Sequence, residues 1–175
     1  MSPEQVYLRA CNQRGLIIDT NLLALLLIGS HHPTLEQIRS CTRTSSYDLE
    51  DFKRVLLLAS KACKIIVTPQ ILAELADITF DIRHNGGFDA YFKQVIDFVT
   101  NAEEEHTGKE LLMAQPNINI LRKVGFADTS IVEIARNSNP LVLTDDGELA
   151  GVLTTLRLNV LNINHLRSAQ WLASV

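Results

Sequence analysis

The chain has 175 residues, near the usual size of one compact domain, and 46% hydrophobic with 21% charged residues is ordinary globular composition. A chain this long buries roughly two-thirds of its unfolded surface without help from a disulfide or structural metal. Its three cysteines, Cys11, Cys41 and Cys63, form no C-x-x-C pair, which leaves a secreted disulfide scaffold and a zinc ribbon without support. Sixteen Lys and Arg against twenty Asp and Glu give a net charge of −4, so any polyanion must be met by a local patch rather than by the field of the whole molecule.

Short β-rich runs alternate with longer helical periods and nothing repeats, the pattern of an α/β chain forming one domain over 1–175. The N-terminus, Met1-Ser2-Pro3-Glu4-Gln5, lacks the basic start and small-residue cleavage site of a signal peptide, so a cytoplasmic location is expected. Gly15-Leu16-Ile17-Ile18-Asp19 reads as the first strand, apolar until it meets a carboxylate. An apolar helix over 22–28 follows, far short of the ~20 residues that span a bilayer, and no membrane segment is expected. With no polar face, that helix belongs in the core or in an oligomer interface, and the second option makes a homodimer an expectation.

Helical spacing returns over 33–40 and 47–63, where Phe52, Val55, Leu56 and Ala59 share one stripe. Lys64-Ile65-Ile66-Val67 reads as the second strand. Thr68 then caps a helix that Pro69 opens and that carries Glu74 through 70–77. After the break at Asn85-Gly86-Gly87, Phe88, Tyr91, Phe92, Val95, Ile96, Val99 and Ala102 mark an amphipathic helix, which Glu103-Glu104-Glu105 closes on the surface. In the stretch 107–124, Leu111-Leu112-Met113 reads as helix and Pro116-Asn117 as a turn. Gly125-Phe126-Ala127-Asp128 leads into a helix with Ala127, Ile131, Ile134 and Ala135 on its stripe, ending near Asn137-Ser138-Asn139-Pro140. Next come the strand Leu141-Val142-Leu143-Thr144, the turn Asp145-Asp146-Gly147, a helix over 148–156, a strand over 159–163 and a last short helix over 166–172.

In an open parallel sheet, ligands bind at the carboxyl ends of the strands. Asp19, Asp145 and Asp146 sit at such ends, Asp128 opens the helix just upstream of the third predicted strand, and Glu74 rides the helix after the second. Taken singly, each acid has a plainer explanation as a helix cap, a turn residue or a solvated side chain. Taken together, converging carboxylates repel and are costly to desolvate, so they call for a counter-cation. All-oxygen donors specify a hard ion, Mg²⁺ or Mn²⁺, and such a site supports phosphoryl-transfer chemistry.

The order of these motifs, strand–Asp-Thr-Asn, Pro-opened helix with Glu, Gly-Phe-Ala-Asp-Thr before a helix, and strand–Thr-Asp-Asp, resembles the PIN-domain family of ribonucleases from about residue 15 to 163. That family includes the toxin subunits of bacterial toxin–antitoxin pairs. The resemblance implies an α/β/α sandwich around a mainly parallel sheet and a metal-dependent endoribonuclease. Its four acids land on Asp19, Glu74, Asp128 and Asp146, with Asp145 as a spacer. It also implies an RNA substrate, pairing with a second copy and, in the toxin branch, an antitoxin partner. In this frame Asp19, Asp128 and Asp146 ligate the metal and Glu74 holds a metal-bound water or a second ion. Thr20, Asn21, Thr129 and Thr144 either orient those carboxylates or cap the neighbouring helices.

Substrate contact has two groups of candidates: Arg39, Arg43, Lys53, Arg54, Lys61 and Lys64 in the N-terminal half, and Arg122-Lys123 before the Gly125 turn. Each lines a phosphate path or merely solvates a helix. His31, His32, His84, His106 and His165 have no ligand spacing. A haloacid-dehalogenase-like phosphatase needs a second acid two residues after the first, where this chain has Asn21. A non-catalytic interaction module, using the helices at 22–28 and 88–102 as contact surfaces, is the remaining alternative.

Overall fold

The computed structural model describes residues 3–82 and 88–168. Its strands are short and apolar: β1 (Leu16–Ile18), β2 (Ile65–Val67), β3 (Glu103–Glu104), β4 (Leu141–Thr144) and β5 (Val160–Asn162). They form one sheet in the order β3-β2-β1-β4-β5, with every neighbouring pair parallel. All-parallel strands are covered on both faces, which is why β1 and β4 read as unbroken apolar runs and are buried throughout. Leu16, Ile17 and Ile18 stand opposite Leu141, Val142 and Leu143 in register.

The helices are α1 (Pro3–Arg14), α2 (Thr20–His31), α3 (Leu35–Arg39), α4 (Leu49–Lys61), α5 (Pro69–Ile82), α6 (Phe88–Asn101), α7 (Lys109–Leu112), α8 (Gln115–Ser138), α9 (Gly147–Thr155) and α10 (Ile163–Ser168). Helix α2 packs against α4, α5 and α6, whereas α8 packs against α9 and β4. The chain moves from β1 outward to β2 and β3, then returns across the sheet to β4 and β5. Right-handed crossovers running in opposite directions put the two helix groups on opposite faces. The direction reverses between β1 and β4, the switch point where a crevice opens beyond the carboxyl ends of the strands.

The apolar helix after Asp19 is the centre of the core. Each of its residues from 22 to 28 is at most 6% exposed, shielded by this chain's own α4, α5 and α6. Its apolarity therefore needs no second subunit, and of the two grounds for a homodimer only the family resemblance is left. Gly29 continues the close approach: a Cβ there would stand 2.4 Å from Cδ2 of Phe52 on α4. Cys11 and Cys41 are buried and Cys63 exposed, all three as free thiols. No helix among the described residues is long and apolar enough to cross a membrane.

Several elements differ from the sequence reading. Helix α1 precedes the first strand, where no element was expected. The acidic run after α6 is a strand, β3, whose Glu103 and Glu104 pair with Ile66 and Val67 while remaining exposed. Charge on an edge strand discourages pairing with other chains, and Lys64 Nζ meets Glu103 Oε1 at 2.6 Å. On α4 the inward stripe is Phe52, Val55 and Leu58, with Leu56 turned out. On α6, Tyr91 and Val95 face inward, while Phe92 and Ile96 are exposed. Pro116 makes no turn but sits in the first turn of α8, which runs on past a break at Gly125. The Asn85-Gly86-Gly87 break and residues 169–172 of the expected last helix lie outside the described residues.

Candidate active site

Asp19 leaves β1 in extended conformation and becomes the N-cap of α2. Its Oδ1 accepts from Leu22 N–H at 3.0 Å. Its Oδ2 accepts from the Thr144 hydroxyl and from Asp145 N–H, the latter at 3.0 Å. The end of β4 is thereby tied across the switch point to the end of β1. Thr144 in turn accepts from Asp146 N–H at 2.9 Å, and Asp146 caps α9 by accepting from Glu148 N–H and Leu149 N–H at 2.6 and 3.1 Å. The capping explanation of Asp19 and Asp146 is thus realised, Thr144 caps no helix but orients the Asp19 carboxylate, and together these bonds fix the three groups at one point on the sheet edge.

Two further acids arrive from other elements. Glu74 on α5 accepts from the Thr20 hydroxyl through Oε2 at 2.9 Å. Asp128 lies three residues after Gly125, whose φ of +83° breaks α8 and starts a new helical run there. A positive φ of this kind is open to glycine and strained for other residues. Asp19, Glu74, Asp128, Asp145 and Asp146 line one cleft of about 230 Å³, together with Arg43 and Phe126.

Crowding shows in the electrostatics. Burial, reinforced by the charge of Asp145, pushes the Asp19 carboxyl up to about 7 even though Thr144, Leu22 N–H and Asp145 N–H favour its ionised form. Burial also pushes Asp128 up to about 7, with Asp19, Asp146, Glu74 and Asp145 adding to it. Asn21 Oδ1, on the same cleft, is buried without a hydrogen-bond partner. Raised carboxylates and an unpartnered carbonyl oxygen are the donor set a hard cation takes. Among the described residues no three His, Cys, Asp or Glu side chains are gathered tightly enough to enclose an ion on their own. A cation held here would keep several waters, as Mg²⁺ does.

Of the residues singled out from the sequence, the structure brings Asp19, Glu74, Asp128 and Asp146 to the cleft, along with Thr20 and Asn21. Thr144 reaches Asp19 from beneath. Thr129 goes elsewhere: it is buried and donates to Gly125 O at 2.6 Å, holding the start of its own helical run. Among the basic candidates, Arg43 alone lines the cleft. Lys53 pairs with Glu50, Arg54 with Asp51, and Lys64 with Glu103, while Lys123 borders a separate groove beside α9.

Asp145 is more than a spacer. It lines the cleft, and its Oδ2 accepts from the buried Tyr47 hydroxyl at 2.5 Å. Burial and this bond push the Tyr47 phenol up, so it stays a donor at every ordinary pH. Arg167 of α10 stands 5.8 Å from the Tyr47 ring centroid and grips the buried Asp51 through Nε and Nη2 at 3.0 and 2.6 Å. Nothing in the local sequence signals Tyr47, because it lies 98 positions from its partner. A scan against protein-family models matches no family, and a search of curated proteins finds no match.

Proposed function

We propose that the chain is a metal-dependent endoribonuclease with a PIN-like fold, cutting RNA phosphodiester bonds at the cleft between β1 and β4. The observation that carries this reading is convergence. Asp19, Glu74, Asp128 and Asp146 come from four separate stretches of chain and line one cleft at the switch point of a parallel sheet. Simple capping accounts for Asp19 and Asp146 but not for Asp128 or Glu74 in the same place.

A divalent ion bound here supplies Lewis-acid polarisation of a phosphoryl oxygen and lowers the pKa of its water. Asp19, Asp128 and Asp146 are the residues to hold it. Three hydrogen bonds fix the orientation of Asp19 and leave its carboxylate one further lone-pair site. Glu74 Oε2 is occupied by Thr20, which leaves Oε1 to orient a water and receive its proton. Tyr47 fixes the Asp145 side chain and the Asp145 N–H fixes Asp19, so both acids hold set positions on the cleft.

The test is incubation of the purified chain with structured and single-stranded RNAs in Mg²⁺, Mn²⁺ or EDTA, beside Asp19→Asn and Asp128→Asn. Cleavage is expected to need metal and to disappear in both variants while their circular dichroism stays native. Undiminished cleavage in either purified variant sinks the assignment. Absence of cleavage together with absence of calorimetric metal binding favours the interaction module instead.

A further inference from the structure

We propose that Phe126 and Arg43 form a nucleotide subsite in the acidic cleft, Phe126 stacking an unpaired base and Arg43 contacting a phosphate. The proposal rests on the nuclease reading and adds what selects the strand. Phe126 is 59% exposed, the most exposed of the large apolar side chains among the described residues, and the one of them that lines the acidic cleft. A phenylalanine left in water beside five carboxylates gains nothing from the fold. Gly125, with its positive φ and open surroundings, sets the turn from which Phe126 projects, two residues before Asp128.

Arg43 supplies the complementary charge. It is exposed on the short turn Thr42–Thr44, makes no ion pair among the described residues, and is the one cation, among those residues, on a cleft that five acids line. The neighbouring basic side chains Lys53, Arg54 and Lys64 are all occupied by carboxylates. The turn itself is held rigidly: Thr44 is buried and its hydroxyl donates to Ile38 O at 2.5 Å. The guanidinium of Arg43 meets a phosphate of strand or duplex alike, whereas the aromatic face of Phe126 needs an unstacked base, which single-stranded nucleic acid offers and a duplex does not. A base inside a duplex has no free face to stack.

The experiment uses the full chain with a fluorescein-labelled single-stranded RNA decamer and the same strand in duplex. Binding is read by anisotropy in Ca²⁺ and cleavage in Mn²⁺, for the wild type, Phe126→Ala, Phe126→Trp, Arg43→Ala and Asp128→Asn. Phe126→Ala is expected to weaken single-strand binding about tenfold and raise KM while Phe126→Trp restores both. Arg43→Ala is expected to reduce the slope of log affinity against log salt by about 0.7. The duplex should bind poorly to every variant.

If cleavage vanishes in Asp128→Asn while Phe126→Ala binds and cleaves like the wild type, the subsite falls and the nuclease stands. If the wild type cuts nothing yet single-strand binding depends on Phe126 and is rescued by Trp, the subsite stands and the nuclease falls. Equal affinity for strand and duplex, or no binding to either, overturns the subsite.

Discussion

Asp128 carries its carboxylate into a field set by Asp19, Asp146, Glu74 and Asp145, and burial together with those neighbours keeps its proton on up to about 7. In the unfolded chain the same group releases its proton near 4. The fold therefore binds more protons than the unfolded chain between about 4 and 7, and this group's contribution weakens stability as the pH rises through that window. Partial solvation of the cleft brings the expected cost of ionising Asp128 to about 1–3 kcal/mol above pH 7. Asp128→Asn removes the charge and keeps the shape. In EDTA at pH 8 it should melt several degrees above the wild type, and at pH 4, where both side chains are neutral, the two should coincide. Calorimetric melting at the two pH values checks this, and a variant that melts lower at pH 8 refutes the crowding. Asp19 is the poorer choice for this test, because an amide nitrogen in place of Oδ2 would face the Thr144 hydroxyl and Asp145 N–H, both donors to it. At this scale the sequence spoke clearly where an acid follows a strand or opens a helix, as at Asp19, Asp128 and Asp146. It put Asp145 at the end of a strand but reduced it to a spacer, because the contact that holds it on the cleft beside Asp146 comes from a tyrosine 98 positions away.

Elements rather than residues decide where Asp128 and Phe126 stand, and the break in α8 is the element that matters most. Gly125 has φ +83° and ψ −176°, and a Cβ on it would meet nothing within 4 Å. Gly125→Ala therefore introduces backbone strain and no steric clash, a cost of about 1–3 kcal/mol. Relief of that strain would re-aim the segment 126–128 that follows. The expected outcome is a urea midpoint lowered in line with that cost and a loss of Mn²⁺ affinity larger than the same loss of stability elsewhere in α8 produces. Ser138→Gly, at the far end of the same helix, is the comparison, and equal Mn²⁺ affinity in the two variants would show that the kink does not aim the site. The inward stripe of Ile131, Ile134 and Ala135 made the second half of α8 legible from spacing alone. Its first half was not legible, because Pro116 is as much at home in a turn as in a first helical turn. Strand β3 was hidden for a different reason. Two glutamates have low strand propensity, and their pairing with Ile66 and Val67 is imposed by the position of β2.

At the scale of the whole molecule, four of the five strands were readable as apolar runs, but their order was not, because order is set by crossovers rather than by the runs themselves. That order is what converts scattered acids into a site. With β1 and β4 adjacent, the caps of α2 and α9 meet, and five carboxylates of a chain with net charge −4 line one end of the sheet. Such a fold is least content when metal-free at high pH, so a cation should stabilise it by RT ln(1 + [M]/Kd), about 2.7 kcal/mol at a hundredfold excess over Kd. Protons compete for the same oxygens. Asp19 and Asp128 hold theirs up to about 7, so Mn²⁺ should raise the melting temperature strongly at pH 8 and little at pH 5. Thermal-shift titrations at the two pH values, with the wild type and with Asp128→Asn, read this directly. Shifts of equal size at both pH values would put the cation on groups that do not titrate in this range, away from the cleft. A shift at pH 8 that Asp128→Asn abolishes would tie metal, proton and fold to the same carboxylates.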